Sequence, residues 1–378
     1  MTDSHRPFLP RAVPVLRLAP GTLQIGGADG DPGLRVGPLP ADSSRALAVL
    51  LRGLDGNRPT AAVVAEGVAA GLDRAVVADV LAALRACGRL VDVSSTDLLA
   101  AAHTPAARAR TEVELPAALG DGRPGTWGRR SGSSVVVDGA TRVGVPLASM
   151  LAASGVGRVH VRDRGTVGAA DTVVGGLSAA DEGRPRTLAA ADAVRRAAPD
   201  VDLRPLPPGT APDLLVLTRP WAAVDPLLAG LQSARVPHLV ATVRGEVGVV
   251  GPLVVPGRTG CLRCAEVTRT DTAPEWPALA SQLREPPTAR TGPPVGPVTG
   301  GTGVSLATAV TALTQALGHL DGTAAPVALD ATLELRSPDL LPRRRPWPAH
   351  PACACRAGAA AAEGRPGAGG REQGHWGA

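Results

Sequence analysis

Val135-Val-Val-Asp-Gly-Ala-Thr-Arg-Val-Gly-Val-Pro-Leu-Ala-Ser-Met-Leu-Ala-Ala-Ser-Gly155 reads as a strand, a glycine turn and a helix in succession. The β-branched opening fits a parallel strand buried on both faces. Pro146 falls in the first turn of the helix and Gly155 just past its end, the asymmetry that punctuates helices. Arg158-Val-His-Val-Arg162 then gives a second strand, ended by Asp163. The unit is βαβ, with an acid about 20 residues beyond the turn, where an adenosine ribose would be read.

The turn departs from a nucleotide fingerprint. Gly-x-Gly-x-x-Gly is replaced by Gly139-Ala-Thr141-Arg-Val-Gly144. Thr141 puts a side chain where backbone should approach phosphate, and Asp138 adds a negative charge at an anion site. Two readings stay open at this point: a nucleotide site, or a Rossmann-like layer that holds no nucleotide.

Outward from this unit, the 378 residues allow roughly two or three domains. Aromatic residues are scarce (five Trp, one Phe, no Tyr), so the core must be Leu, Val and Ala. All 39 basic residues are Arg, which excludes a Walker-A lysine. The net charge of +5 is modest and partly local, as in Arg343-Arg-Arg345, so nucleic acid is not an expected partner. No signal peptide and no bilayer-length apolar run is read, so no membrane partner and a cytoplasmic location are expected.

Residues 1–12 read as a flexible arm. Pro14–Ala19 and Thr22–Ile25 make a hairpin, with a third strand at Leu34–Val36. Helices follow from Asp42 or Ser43, from Thr60 and from Asp73, and Arg89–Val93 returns as a strand. This is a small winged-helix-like α+β module over residues 1–95. Three uses are open to it: DNA binding, capture of a peptide by strand addition on the hairpin edge near Thr22–Ile25, or packing and dimerisation. The third helix carries Arg74 and Arg85 beside Asp73 and Asp79, a poor charge pattern for DNA. Residues 96–125 read as a linker, and 357–378, rich in Ala and Gly, as a disordered tail.

Within 126–356, further strands are predicted at Asp213–Leu217, His238–Val243 and Ala328–Arg336, with Val247–Val255 extended outside the parallel part. A long helix is predicted with Leu306, Val310, Leu313, Leu317 and Leu320 as its apolar stripe. Cys261-Leu-Arg-Cys264 and Cys353-Ala-Cys355 are two tight pairs, and four thiolates suit a tetrahedral structural zinc. The rivals are a redox pair or buried thiols; His350 is a reserve ligand, and Cys87 reads as a buried thiol.

In this order the glycine turn, the acid after the second strand, Gly183-Arg-Pro-Arg186 opening a helix, and the cysteine pairs flanking a glycine-led long helix resemble the ThiF/MoeB family. These are adenylyltransferases related to ubiquitin-activating enzymes. The resemblance covers residues 126–356 and implies an α/β fold: a Rossmann-like ThiF-type sheet with a zinc-binding end. The N-terminal module resembles the peptide-recognition domains of thiazole- and oxazole-forming (bacteriocin) systems. In those systems such a protein binds the leader of a ribosomal precursor and presents it to a YcaO-type cyclodehydratase.

The family adenylates a carboxylate with ATP and magnesium. The resemblance assigns Gly139 and Gly144 to the outer glycines, Asp163 to the ribose acid and Arg186 to the position of a lysine. The family's Asn and Arg between these points have no counterpart: Asn57 is the one Asn of the chain and 169–176 holds no Arg. The magnesium-binding Asp after the third strand is replaced by Leu217-Thr-Arg-Pro-Trp-Ala222, with no acid until Asp225. The crossover 265–300 has no cysteine for a thioester relay. The expectation is therefore a leader-binding scaffold with a vestigial nucleotide site, no catalytic residue, structural zinc, and a homodimer as the family implies. The alternative is an active adenylyltransferase acting on a peptide or small-protein carboxylate, with Asp225 or Asp163 holding the metal. A DNA-binding regulator stands second.

Overall fold

The computed structural model describes residues 5–27, 33–94, 97, 105–119, 125–219, 226–284, 300–322 and 325–356. Its first elements are β1 (Arg6–Phe8), β2 (Val15–Ala19), β3 (Thr22–Ile25), β4 (Leu34–Val36), α1 (Ala41–Arg52), α2 (Thr60–Ala69), α3 (Arg74–Ala86) and β5 (Val91–Val93). Strands β2-β3-β4 form an antiparallel sheet. Its buried face meets the three helices over Leu23, Ile25, Leu47, Leu51, Leu81 and Leu84, all essentially inaccessible. Each such side chain contributes about 1.5–3 kcal/mol of apolar burial. Helix α3 starts as its sequence dictates: the Asp73 carboxylate accepts the Ala75 amide at 2.7 Å.

Two expectations are corrected here. The supposed N-terminal arm contains β1, which pairs antiparallel with β5, Phe8 opposite Val91. Strand β3, expected to offer the free edge near Thr22–Ile25, is the central strand and is paired on both sides. The outer strands are β2 and β4.

Next come α4 (Pro105–Leu119) and α5 (Thr126–Gly132). The first lies inside the stretch read as a linker. Its periodicity is weak, and tertiary contact holds it: Leu115 and Ala118 pack with Phe8, Val91, Val93 and Trp127. The expected tail, 357–378, lies outside the described residues.

The remaining elements are β6 (Ser134–Asp138), α6 (Gly144–Ala153), β7 (Arg158–Arg162), α7 (Arg186–Ala197), β8 (Leu214–Leu217), α8 (Pro226–Ser233), β9 (His238–Arg244), β10 (Val247–Val254), α9 (Leu262–Thr272), α10 (Trp276–Arg284), α11 (Thr302–Asp321), β11 (Ala331–Arg336) and β12 (Arg343–Pro346). One seven-stranded sheet runs β12-β11-β10-β9-β8-β6-β7. Strands β7, β6, β8 and β9 are parallel, and β10, β11 and β12 are added antiparallel. Strands β6, β8 and β9 are near-continuous apolar runs, as burial on both faces requires, while the edge strand β7 alternates. Strand order reverses about β6, with β7 on one side and β8 on the other, so the sheet opens a crevice at the ends of β6 and β8.

Helix α11 corrects the leucine stripe. Its buried face is Val304, Ser305, Thr308, Ala309, Ala312, Gln315, Ala316 and, as predicted, Leu320, while Val310 is half exposed and Leu313 and Leu317 flank the core. Small side chains win because the helix lies close on the sheet: a methyl group on Gly248 of β10 would sit 2.1 Å from the Thr308 hydroxyl. No helix among the described residues is long and apolar enough to cross a membrane.

A buried ion pair ties the start of this layer to its end. Arg130 of α5 reaches Asp321 at the end of α11, Nε donating to Oδ1 at 2.9 Å, and donates to the Ser154 carbonyl after α6 at 3.0 Å. Both side chains are almost fully buried. Asp321→Ala strands a guanidinium in the interior and is expected to destabilise the protein by about 3–5 kcal/mol. Urea unfolding of the full chain measures this; a loss below about 1 kcal/mol would mean that water reaches Arg130.

Candidate functional site: a closed cradle and a cysteine cluster

The glycine turn sits in the crevice, between the end of β6 and the start of α6. Gly139 has φ +119°, where side chains are strained, and an added methyl would lie 2.6 Å from the Thr218 hydroxyl. A methyl on Gly144 would lie 2.1 Å from the Gly139 carbonyl. Both glycines are thus required by packing of the turn, whatever binds there. Thr218 closes the other side, donating to the Gly139 carbonyl at 2.9 Å.

Thr141 does more than crowd the turn. Its hydroxyl accepts the amides of Gly144 at 2.9 Å and Val143 at 3.4 Å, and so caps α6 from within. Asp163, expected to face a ribose, turns inward: it accepts the Ala140 amide at 2.6 Å and the Arg164 amide. The amides of Ala140, Val143 and Gly144 are the donors that a phosphate would need at this helix start. Arg142 also points away, donating to the carbonyl of Thr172 at 2.7 Å and to the Thr302 hydroxyl at the start of α11 at 2.8 Å.

Each aspartate around the turn has an arginine partner within the chain. Arg219 lies 3.2 Å from Asp163 and 3.8 Å from Asp138, and Arg162 lies 3.2 Å from Asp138. Arg186 pairs with Asp171, lies 3.9 Å from Asp163, and donates to the Thr166 carbonyl at 2.9 Å. Three arginines meet three aspartates. Asp138, expected to repel anions, is therefore neutralised rather than bare. The structure gathers Gly139, Gly144, Asp163 and Arg186 at one place and adds Arg162, Asp171 and Arg219, which sequence reasoning did not single out. Arg219 had a signal: it stands directly after the third parallel strand, where the resemblance implies a metal-binding acid. Asp225 lies outside the described residues.

At the opposite end of the chain order, Cys261, Cys264, Cys353 and Cys355 converge, all four sulfurs within 4.8 Å of one another. Cys261 stands 3.8 Å from Cys264 and 3.6 Å from Cys353, and Cys264 stands 3.5 Å from Cys355. Sulfurs at the corners of a tetrahedron about 2.3 Å from a central ion would be about 3.8 Å apart, so the set fits a tetrahedral thiolate metal site. Burial raises the Cys261 thiol well above the ordinary value and Cys355 to about 11. Burial would raise Cys264 too, but hydrogen bonds from the backbone at His350 and Cys261 hold it below. His350, the reserve ligand, is turned away and pairs with Asp271 at 2.8 Å.

Comparison of the fold finds Escherichia coli MccB solved with ATP, at 16% identity and a TM-score of 0.59, over 92% of this chain and 99% of that one. The microcin C7 biosynthetic enzyme MccB, solved in complex with N-formylated MccA, matches with the same identity and score over 93% of this chain and 99% of that one. PaaA matches at 16% identity and a TM-score of 0.53, over 71% of this chain and 91% of that one. At these identities the likeness is one of fold. A search of the curated proteins gives no match. The model of the ThiF family matches residues 128–356, from the helix before β6 to the last cysteine pair, and on that span the chain belongs to the ThiF family.

Proposed function

We propose that this protein is a peptide-binding scaffold of ribosomal-peptide (bacteriocin) biosynthesis, with a nucleotide site that no longer adenylates. The observation that carries the reading is the cradle: its amides and charges are taken by Thr141, Asp163 and their arginine partners. MccB, whose fold spans almost the whole chain, is a peptide-antibiotic enzyme solved with MccA, and this supports a peptide as the partner. In this reading residues 1–95 recognise the leader, 96–125 connect, and 126–356 form the ThiF-type body whose four cysteines hold one structural zinc. A YcaO-type cyclodehydratase receives the leader, the setting is cytoplasmic, and the chain pairs as a homodimer.

The leader adds as a strand to the free edge of β4. That edge lies beside α3, where Leu34, Val36 and Val76 are half-buried and offer apolar ground for alternate side chains. The β2 edge is a poorer candidate, because Arg52 already donates to the Val15 carbonyl at 2.6 Å. Val76→Asp is expected to weaken leader binding by about tenfold or more, from lost burial and a misplaced charge. Leu16→Asp on β2 should leave it unchanged. Titration calorimetry of the full-length variants with a leader peptide tests this, and the opposite ranking would move the site to β2.

The second reading is an active adenylyltransferase. It is favoured only by the position of Asp163 and Arg186 at the ends of β7 and α7, where the family keeps its acid and cation.

A further inference from the structure

A cavity of about 330 Å³ opens on the antiparallel half of the sheet, between β9–β12 and the helices α9 and α10. It lies on the face opposite α11: Val240 and Arg244 of β9 line it, while the alternate residues Leu239, Ala241 and Val243 belong to the core under that helix. None of the cradle residues takes part in it. The inference is therefore separate from the leader reading.

Two of the few aromatic residues of the chain are spent here. Trp276, Arg269, Trp347 and Arg345 alternate as a ladder, with Arg269 5.1 Å from each ring centre and Arg345 4.9 Å from that of Trp347. A guanidinium stacked on a ring is held flat, and its N–H groups point outward from the edge. Such forks suit planar carboxylates, and two already sit on them. Glu266 lies 2.6 Å from Arg269, and Glu334 lies 2.8 Å from Arg336 and 3.6 Å from Arg345.

The charges do not close. Three arginines of the lining, Arg269, Arg336 and Arg345, share the two carboxylates of Glu266 and Glu334. Burial, and then the charge of Arg269, press Arg244 down to about 10, and the two glutamates only partly offset this. Positive charge is left over, because Arg336 and Arg345 divide the one carboxylate of Glu334.

We propose that this cavity is a carboxylate-binding site, which seats acidic groups of a peptide or of a free polycarboxylate on the ring-stacked arginines. Trp276 and Trp347 report on it by fluorescence. The full-length protein is titrated with an end-capped oligo-glutamate peptide, its oligo-glutamine counterpart, citrate and inorganic phosphate. The glutamate peptide or citrate should bind and change the tryptophan emission, and the glutamine peptide should not. Tighter binding of the peptide assigns the occupant to a polypeptide, and tighter binding of citrate to a small molecule. Arg269→Gln should weaken binding by about tenfold or more, and Arg269→Lys should not restore it, since a lysine neither stacks nor forks. Arg336→Gln, at the half-exposed rim and tolerant of substitution, should weaken binding by about the same factor. The proposal is overturned by no binding of either carboxylate at millimolar concentration, by phosphate binding more tightly than both, by equal binding of the glutamine peptide, or by unchanged affinity in both glutamine variants.

Discussion

Replacing Cys264 by serine is expected to strip the metal and unfold the end of the ThiF-type body. Cys264 is 2% exposed and lies in a cluster with Val254, Leu262 and Val136, so the thiolate site and the packing under the sheet are one structure. Its partners come from the start of α9 and from the last described turn of the chain, about 90 residues apart. Beside the cysteines, the segment 347–356 is held by Trp347, by Ala349 packed on the same cluster, and by the contact of His350 with Asp271. Structural zinc in small peptides is worth about 10–16 kcal/mol, and because the ion binds only the folded state that energy is folding energy. Even after discounting for a larger core, the variant should lose more than about 5 kcal/mol, a large part of the stability of a typical domain. Elemental analysis should find one zinc per wild-type chain and none in Cys264→Ser, with melting sharply lowered. Cys87→Ser, at an exposed thiol after α3, is the control and should change neither. Wild-type protein purified without chelator that holds no zinc would contradict the assignment.

The βαβ unit was legible because its signals are local: a β-branched run, a glycine turn, an apolar helix and an acid at fixed spacing. The cysteine pairs were legible because a ligand motif needs only spacing. What escaped depends on partners far away in sequence. The pairing of Asp163 with Arg219 escaped because nothing in the neighbourhood of Asp163 announces an arginine brought over by β8. Strand β12 was hidden in Arg343-Arg-Arg345, since a charge run reads as solvated surface; it is an edge strand whose arginines remain exposed. Helix α11 buries mainly Ala, Ser and Thr, with Leu320 the one predicted stripe residue fully in the core, because the sheet comes too close for larger groups over most of its length. Helices α9 and α10, in the segment read as a crossover, carry too few apolar residues to declare themselves, and α4 is held by contacts with β1 and β5.

ATP is expected to bind no more tightly than about millimolar, and the chemistry to be absent. A triphosphate entering the turn must displace the Thr141 cap, worth about 1 kcal/mol. It must also break the charged hydrogen bond between Asp163 and the Ala140 amide, worth about 1.5–3 kcal/mol. Together these approach 4 kcal/mol, which is about a thousandfold and turns a micromolar site into a millimolar one. Phosphoryl transfer further needs cations and a metal ligand poised for the developing charge. Here Arg142 is tied to Thr172 and Thr302, Arg186 to Asp171 and Thr166, and a buried threonine, Thr218, stands at the end of β8. The measurement that tests this most directly is exchange of labelled pyrophosphate into ATP, with magnesium and with leader and core peptides supplied, beside calorimetric titration with ATP. The closed cradle predicts exchange at background and weak or undetectable ATP binding. Micromolar affinity together with peptide-dependent exchange, lost in Asp163→Ala, would contradict it and make the protein a working adenylyltransferase.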